Sequence, residues 1–348
     1  MFISFILLLN MQHSLSLKIS LAVALAFPSL SAAERQAEDK SNACPAAIPL
    51  SVIVGDGRAV TPLTPAAFEA RVHGRVATIA TFDQDNTPKR ILLVLDASKK
   101  VNAEAWKIQT SLASFLADGS PPQISFALIV LNVDMPPSDF ATPRETLKSK
   151  LAALATTRPG NAKEEEQVYD GLLNALRLFG KKQFGDSVFA FAGGSDDSSR
   201  IGLGEVQKAF IEQGVRLFGF VLSQRARSGL YMVITPSDAG PKEIPWDPDT
   251  DEIGRLAIET GGLLAVENAH MPSVTYHPNE ERLKQLQTTT FRFYTHIATP
   301  YRIQVATDDL RKPENWSIQL TKAIQAKVPN AKVLYPHQLT PCTAVGSR

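Results

Sequence analysis

Side chains able to carry out bond chemistry are sparse in this sequence of 348 residues. Gly185-Asp186-Ser187 has the letters of a Gly-Asp-Ser esterase block, a serine nucleophile beside an acid. That chemistry needs a downstream Asp-x-x-His to supply the base, and the chain has none; Asp186-Ser187 instead precedes an apolar run, as a plain turn does. Histidines at 13, 73, 270, 277, 296 and 337 show neither the i, i+4 spacing nor the His-Glu-x-x-His pattern that places two imidazoles on one zinc ion. No phosphate-cradling glycine loop follows a strand, and Gly202-Leu203-Gly204 reads as a helix start. Asn315-Trp316-Ser317 is a glycosylation sequon by letters and a strand edge by context. The expectation is a protein that binds rather than catalyses, with an exported hydrolase as the least favoured reading.

Two oxygen-rich segments remain. Asp96-Ala97-Ser98-Lys99-Lys100 follows the five apolar residues Ile91–Leu95, and Gly193-Gly194-Ser195-Asp196-Asp197-Ser198-Ser199 follows Val188–Ala192. Continuous apolar runs of this length are the mark of strands buried on both faces. Ile124–Leu131, Val215–Leu222 and Leu263–Val266 read as further strands, mostly apolar though the first holds Ser125 and the second Arg216. Helical repeats lie between them. Asn102 caps a helix bearing Ala105, Ile108, Leu112 and Phe115; Thr142-Pro143-Arg144-Glu145 reads as a capping box ahead of Leu147, Leu151 and Leu154. Val168, Leu172, Leu176 and Phe179 line a third helix, Val206, Ala209 and Phe210 a fourth stopped by Gly214, and Ile253, Leu256 and Ala257 a fifth ended by Gly261-Gly262. Strands alternating with helices imply an α/β domain with a doubly wound, mostly parallel sheet over residues 89–270. Its ligand site belongs beyond the carboxyl ends of the strands, where both oxygen-rich segments fall.

The flanks read as β-rich. Residues 46–88 hold a strand at Ile48–Val54, a short helical signal at Thr64–Glu69, and a hairpin from Val72–Val76 and Ala77–Phe82. Residues 271–348 hold Phe291–Ile297, Tyr301–Val305 and Trp316–Leu320, read as a compact β extension. Arg225–Asp251, with its prolines and aspartates, reads as a surface insertion; Arg225, Arg227 and Lys242 lack the interleaved aromatics of a nucleic-acid platform.

Composition agrees with an ordinary soluble domain: 44% apolar, 20% charged and a net charge of +1, which supplies no field for nucleic acid or an anionic membrane. Residues 1–33 contain two apolar runs, Phe2–Leu9 and Ile19–Leu30, then Ser31-Ala32-Ala33 before Glu34-Arg35. This is the pattern of a signal peptide cleaved after Ala33, with Met11 able to open a compact version by itself; an uncleaved anchor is the alternative. Neither run reaches the ~20 residues that span hydrocarbon. Residues 34–45 read as a flexible leader. Export to the periplasm or beyond would allow Cys44 and Cys342 to form a disulfide, the alternative being two unpaired thiols.

Arg90-Ile-Leu-Leu-Val-Leu-Asp96-Ala-Ser98 resembles the first strand and loop of a von Willebrand factor A domain, normally ending Asp-x-Ser-x-Ser. Val168-Tyr-Asp-Gly-Leu172, Phe189–Ser199, Gly214-Val-Arg-Leu-Phe218 and Ala257-Ile-Glu-Thr-Gly-Gly262 are similar to later segments of that family in the same order. Val52–Phe82 and, more weakly, Tyr294–Leu334 resemble the flanks of secreted bacterial proteins related to it.

The resemblance implies an adhesion site where hard oxygen ligands hold Mg²⁺ and a partner's carboxylate completes the octahedral shell. Asp96 and Ser98 match the first two ligand positions. The third, a serine in the family, is Lys100; the family threonine aligns with Glu166, and the later aspartate with Gly193. An ammonium has no lone pair for a metal. The site is therefore expected to hold no cofactor. Either Lys100 replaces the ion, pairing with Asp96 and Glu166, or it points to solvent. Asp196 or Asp197 could rescue metal binding, or simply form a turn that caps the following helix. The expected function is protein–protein interaction at this degenerate face, with an Mg²⁺-dependent adhesion domain as the alternative.

Overall fold

The structure, a computed structural model, describes residues 47–55, 57–98, 101–158, 167–193, 196, 198–223, 231–233, 248–268, 280–306 and 313–340. Four strands come first: β1 (Ala47–Ile53), β2 (Phe68–Val72), β3 (Arg75–Ala77) and β4 (Ile79–Gln84). The helical signal near Thr64 is only a 3-10 turn at Pro65–Ala67, because Phe68, Ala70 and Val72 continue with the period of two that suits a strand. His73-Gly74, both at positive φ, turn β2 into β3.

The central layer then builds strand by strand. β5 (Lys89–Asp96), β6 (Ile124–Leu131), β7 (Ser187–Ala192) and β8 (Arg216–Ser223) are followed by the short β9 (Tyr231–Val233) and by β10 (Leu263–Asn268). They lie in the order β6-β5-β7-β8-β10-β9, all parallel except β9. In register, Leu93 sits beside Leu128 and Phe189, and Phe189 beside Phe218. Helices α1 (Ala103–Gly119), α2 (Arg144–Thr156), α3 (Val168–Leu176), α4 (Leu203–Gln213) and α5 (Pro248–Glu259) make the crossovers. One sheet face packs Ile91, Leu93, Phe189, Phe191, Phe218 and Phe220 against α1 and α2; the other packs Leu92, Val94, Val188 and Leu217 against α3, α4 and α5. Burial on both faces explains why these strands read as largely apolar runs. The Asn102 side chain accepts from the Ala105 amide at 2.7 Å, as a cap should, and Gly214 closes α4 at φ 64°.

Several expectations are corrected. Phe291–Ile297 is not a strand. It lies in α6 (Glu280–Ala298), whose Leu286, Phe293 and Ile297 recur at helical spacing and pack onto the α1 side of the sheet. The segment alternates apolar and polar residues locally, but the longer repeat decides its packing. The described part of residues 271–348 thus begins with a helix packed on the central sheet. The Arg225–Asp251 insertion supplies β9, paired with Leu264–Val266, and the start of α5. Thr142 does not cap α2: Pro143 occupies that position and the Thr142 hydroxyl donates to Asp139 at 3.1 Å.

After α6 come β11 (Tyr301–Val305), β12 (Glu314–Leu320), α7 (Lys322–Lys327), β13 (Lys332–Leu334) and β14 (Gln338–Leu339). They do not form a separate extension. Two antiparallel sheets, β13-β1-β11-β4 and β14-β12-β2-β3, each interleave strands from both flanks. Leu50, Val52, Phe68, Ile303, Trp316 and Ile318 fill one core between them. The two flanks are one β-sandwich. Cys44 and Cys342, residues 1–33 and the leader lie outside the described residues; no described helix is long and apolar enough to cross a membrane.

Candidate functional site

In a parallel sheet ordered 2-1-3-4-5 (here β6-β5-β7-β8-β10), the chain leaves the first strand toward one edge and the third toward the other, opening a crevice between their carboxyl ends. Here that crevice lies between β5 and β7. Asp96 ends β5, Gly193 follows β7, and the Gly193 amide donates to Asp96 Oδ2 at 3.2 Å across the gap. The sequence thus places its candidate acid at the point where the topology favours a ligand.

The Asp96 carboxylate is wholly buried, and four protein donors surround it. Oδ1 accepts from the Ser98 amide at 2.8 Å and from Asn132 Nδ2 at 2.7 Å. Oδ2 accepts from the Ser98 hydroxyl at 3.2 Å and from Gly193 N. The Asp96 amide itself donates to Gln109 Oε1 on α1 at 3.0 Å. A carboxylate offers about four lone-pair directions, and all four are taken. Ser98, also fully buried, spends its hydroxyl proton on Asp96.

Asn132 was not singled out from sequence. It follows β6 directly and sits at φ 62°, a conformation asparagine tolerates better than most residues. Its amide bridges Asp96 and the Gln167 backbone, whose N–H reaches Asn132 Oδ1 at 3.0 Å. A polar residue directly after a buried strand, at the same end as Asp96, is the signal that could have found it.

Arg158 was missed as well. Its Nη1 donates to the Val101 carbonyl at 2.6 Å, and Nη2 to Ala97 at 2.9 Å and to Ser98. Burial pulls its pKa down, and the charge of Asp96 acts in the opposite sense. Nothing in the periodicity around residue 158 marks it, because it lies just past α2 in irregular chain.

Asp196 faces away from Asp96 in its bonding. Oδ1 accepts the Ser198 and Ser199 amides at 3.3 and 3.0 Å, and Oδ2 accepts the Tyr169 amide at 3.0 Å. This is the turn reading, with one change: the helix it caps is α3, which precedes it, rather than α4. Ser199 Oγ accepts the Asp170 amide at 3.0 Å, pinning the loop to the same helix start. Lys100, Glu166, Gly194 and Asp197 lie outside the described residues.

An Mg²⁺ shell needs oxygens with free lone pairs, arranged octahedrally. Asp96 has none to give in this arrangement, Gly193 contributes an N–H where a carboxylate would be required, and Asp196 is committed to α3. Among the described residues, no three His, Cys, Asp or Glu side chains converge. The described residues do not fit the ion. At the opposite end of the sheet, Asp186 is ion-paired with Arg90 at 2.6 Å and the Ser187 hydroxyl donates to Gly185 O, a buried turn without a histidine partner in the observed bonds.

No protein-family profile matches the chain, and no curated protein sequence does. Among solved structures, an aerotolerance-related membrane protein from Bacteroides fragilis aligns over 60% of this chain and 98% of its own, at 12% identity and a TM-score of 0.39. The conserved hypothetical protein BatB from Bacteroides thetaiotaomicron aligns over 59% and 98%, at 14% identity and 0.39. Proximal thread matrix protein 1 from the mussel byssus aligns over 65% of this chain and 50% of its own, at 12% and 0.41.

Proposed function

We propose that this chain is an exported, non-catalytic binding module of the von Willebrand factor A type, meeting a protein partner at the carboxyl end of the central sheet without a divalent ion. The order of its sequence segments supports the type: the Asp96 loop, the α3 start, the Asp196–Ser199 loop and the later glycine turns follow in the expected succession along a sheet of suitable topology. The observation that carries the ion-independent part is the Asp96 carboxylate, buried and satisfied by four protein donors. A site whose acid is already spent inside the protein offers its partner a shaped loop surface instead of a metal.

That surface carries exposed Arg200, set beside Asp170 with its amide on Asp170 Oδ2 at 3.2 Å. A photo-crosslinking amino acid placed at Arg200 should trap the same partner from the native envelope in chelator and in millimolar Mg²⁺. The same probe at Lys181, which precedes β7 at the opposite end of the sheet, should trap none of it. Capture that requires Mg²⁺ would favour a metal-dependent adhesion domain; equal capture at both positions would sink the reading.

A further inference from the structure

A wholly buried carboxylate needs a positive charge nearby, because hydrogen bonds from neutral donors satisfy its lone pairs but leave its charge uncompensated. Among the described residues, the cation bonded to the loop after Asp96 is Arg158, whereas Arg200 points into solvent. Its guanidinium is held by three backbone carbonyls of the loop that contains Ser98: Ala97, Ser98 and Val101. Three carbonyl oxygens of this segment therefore converge on one cation. The same loop turns its Ser98 N–H and hydroxyl toward Asp96, so anion and cation are bound to opposite polarities of one short segment. Arg158 Nε is buried and makes no hydrogen bond among the described residues, which marks the group as held for its charge and its Nη contacts.

We propose that the Arg158 guanidinium is the resident counter-cation of Asp96, supplying from within the chain the positive charge that the resembled family takes from an ion. A guanidinium suits this place better than an ammonium. It stays protonated, and its planar fork reaches several carbonyls at once, whereas an ammonium is a compact point charge. It is also covalently attached, so the charge cannot be withdrawn by a chelator or a change in metal supply. The proposal concerns the charge inside the apex and does not depend on whether the loops above bind a partner.

The test is a double-mutant cycle on the full chain, using Arg158→Met and Asp96→Asn, read by thermal unfolding. Arg158→Met should lower the midpoint by roughly 4–8 °C in the parent, about the size expected for an uncompensated buried charge. In the Asp96→Asn background the same change should cost clearly less, because no carboxylate charge is left to balance. Equal losses in both backgrounds would show a carbonyl clamp with no electrostatic role and overturn the proposal. Should the Asp96 variant not fold, Arg158→Lys and Arg158→Gln decide: lysine keeps charge and glutamine keeps donors. Lysine must retain more of the midpoint; glutamine matching or exceeding it overturns the idea. The parent should melt identically in chelator and in millimolar Mg²⁺, and a magnesium-dependent rise would overturn it too.

Discussion

Arg216 leaves β8 on the phenylalanine-lined face of the sheet at 0% exposure, yet among the described residues only its Nη2 finds a hydrogen bond, to the His296 carbonyl at 3.1 Å. Its Nε and Nη1 are buried without one, the ring of Phe218 lies 5.0 Å from its guanidinium carbon, and burial draws its pKa down to about 9. Unpaired buried charge is costly, and apolar replacements of similar volume are often neutral or stabilising. Arg216→Met should therefore leave the urea midpoint unchanged or raise stability by up to about 3 kcal/mol. The neighbouring His296 donates its Nε2–H to Gly57 O at 2.8 Å. Burial lowers its pKa to about 4, with Arg216 acting the same way and the Gly57 carbonyl opposing. The folded protein thus resists a proton that the unfolded chain accepts. Stability from this group is complete above the unfolded value near 6.5 and is lost as the pH falls toward 4, about 3 kcal/mol in all. Urea unfolding between pH 7 and pH 4 should show that slope in the parent and lose it in His296→Gln. Asp96→Ala, which strands four donors, should cost about 2–5 kcal/mol by the same measurement.

At the scale of elements, backbone proximity sets the strictest limits. A Cβ added at Gly262 would stand 1.7 Å from the Leu217 carbonyl oxygen, where the chain enters the β8–β10 pairing. Backbone cannot yield as a side-chain tip can, so Gly262→Ala should destabilise by more than about 4 kcal/mol and give mostly insoluble protein; soluble expression with a parental melting point would refute this. The elements themselves were largely legible. Ile124–Leu131 and Tyr301–Val305 match β6 and β11 end for end, and Asn102 and Gly214 bound their helices as their chemistry requires. Local pattern failed where distant packing decided the outcome. Phe291–Ile297 alternates like a strand over seven residues, but its partners Phe189, Phe218 and Phe220 reward the helical repeat. At the site, Asp96, Ser98 and Gly193 could be placed because they end strands. Asn132 reaches Asp96, and Arg158 the carbonyls of the loop that follows it, through tertiary folding from positions 36 and 62 residues beyond Asp96, and no local periodicity encodes that.

For the molecule as a whole, a buried ionic joint ties the sandwich to the central sheet. Lys89 of β5 bonds Asp85 and the Thr87 carbonyl, while Arg302 of β11 reaches Asp85 Oδ1 from Nε at 3.1 Å and Nη2 at 2.9 Å. The ring of Phe184 lies 3.8 Å from the Arg302 guanidinium carbon. Burial alone would raise the Asp85 pKa, but the bonds from Lys89, Thr87 and Arg302 outweigh it and hold the carboxyl below its usual range. Asp85→Ala would leave a buried ammonium unpaired and should cost about 3–5 kcal/mol in denaturant unfolding. Arg302→Ala, partly exposed, should cost less. Both should keep a single transition, since strands from both flanks share one core.

That sharing of strands also dictates when folding can finish. β1 finds its partners in β11 and β13, and β2 finds one of its partners in β12, more than 200 residues further along. A nascent chain would carry these early strands unpaired until almost all of it had been made. Such distant pairings make folding slow, so the sandwich is the part of the molecule that closes last.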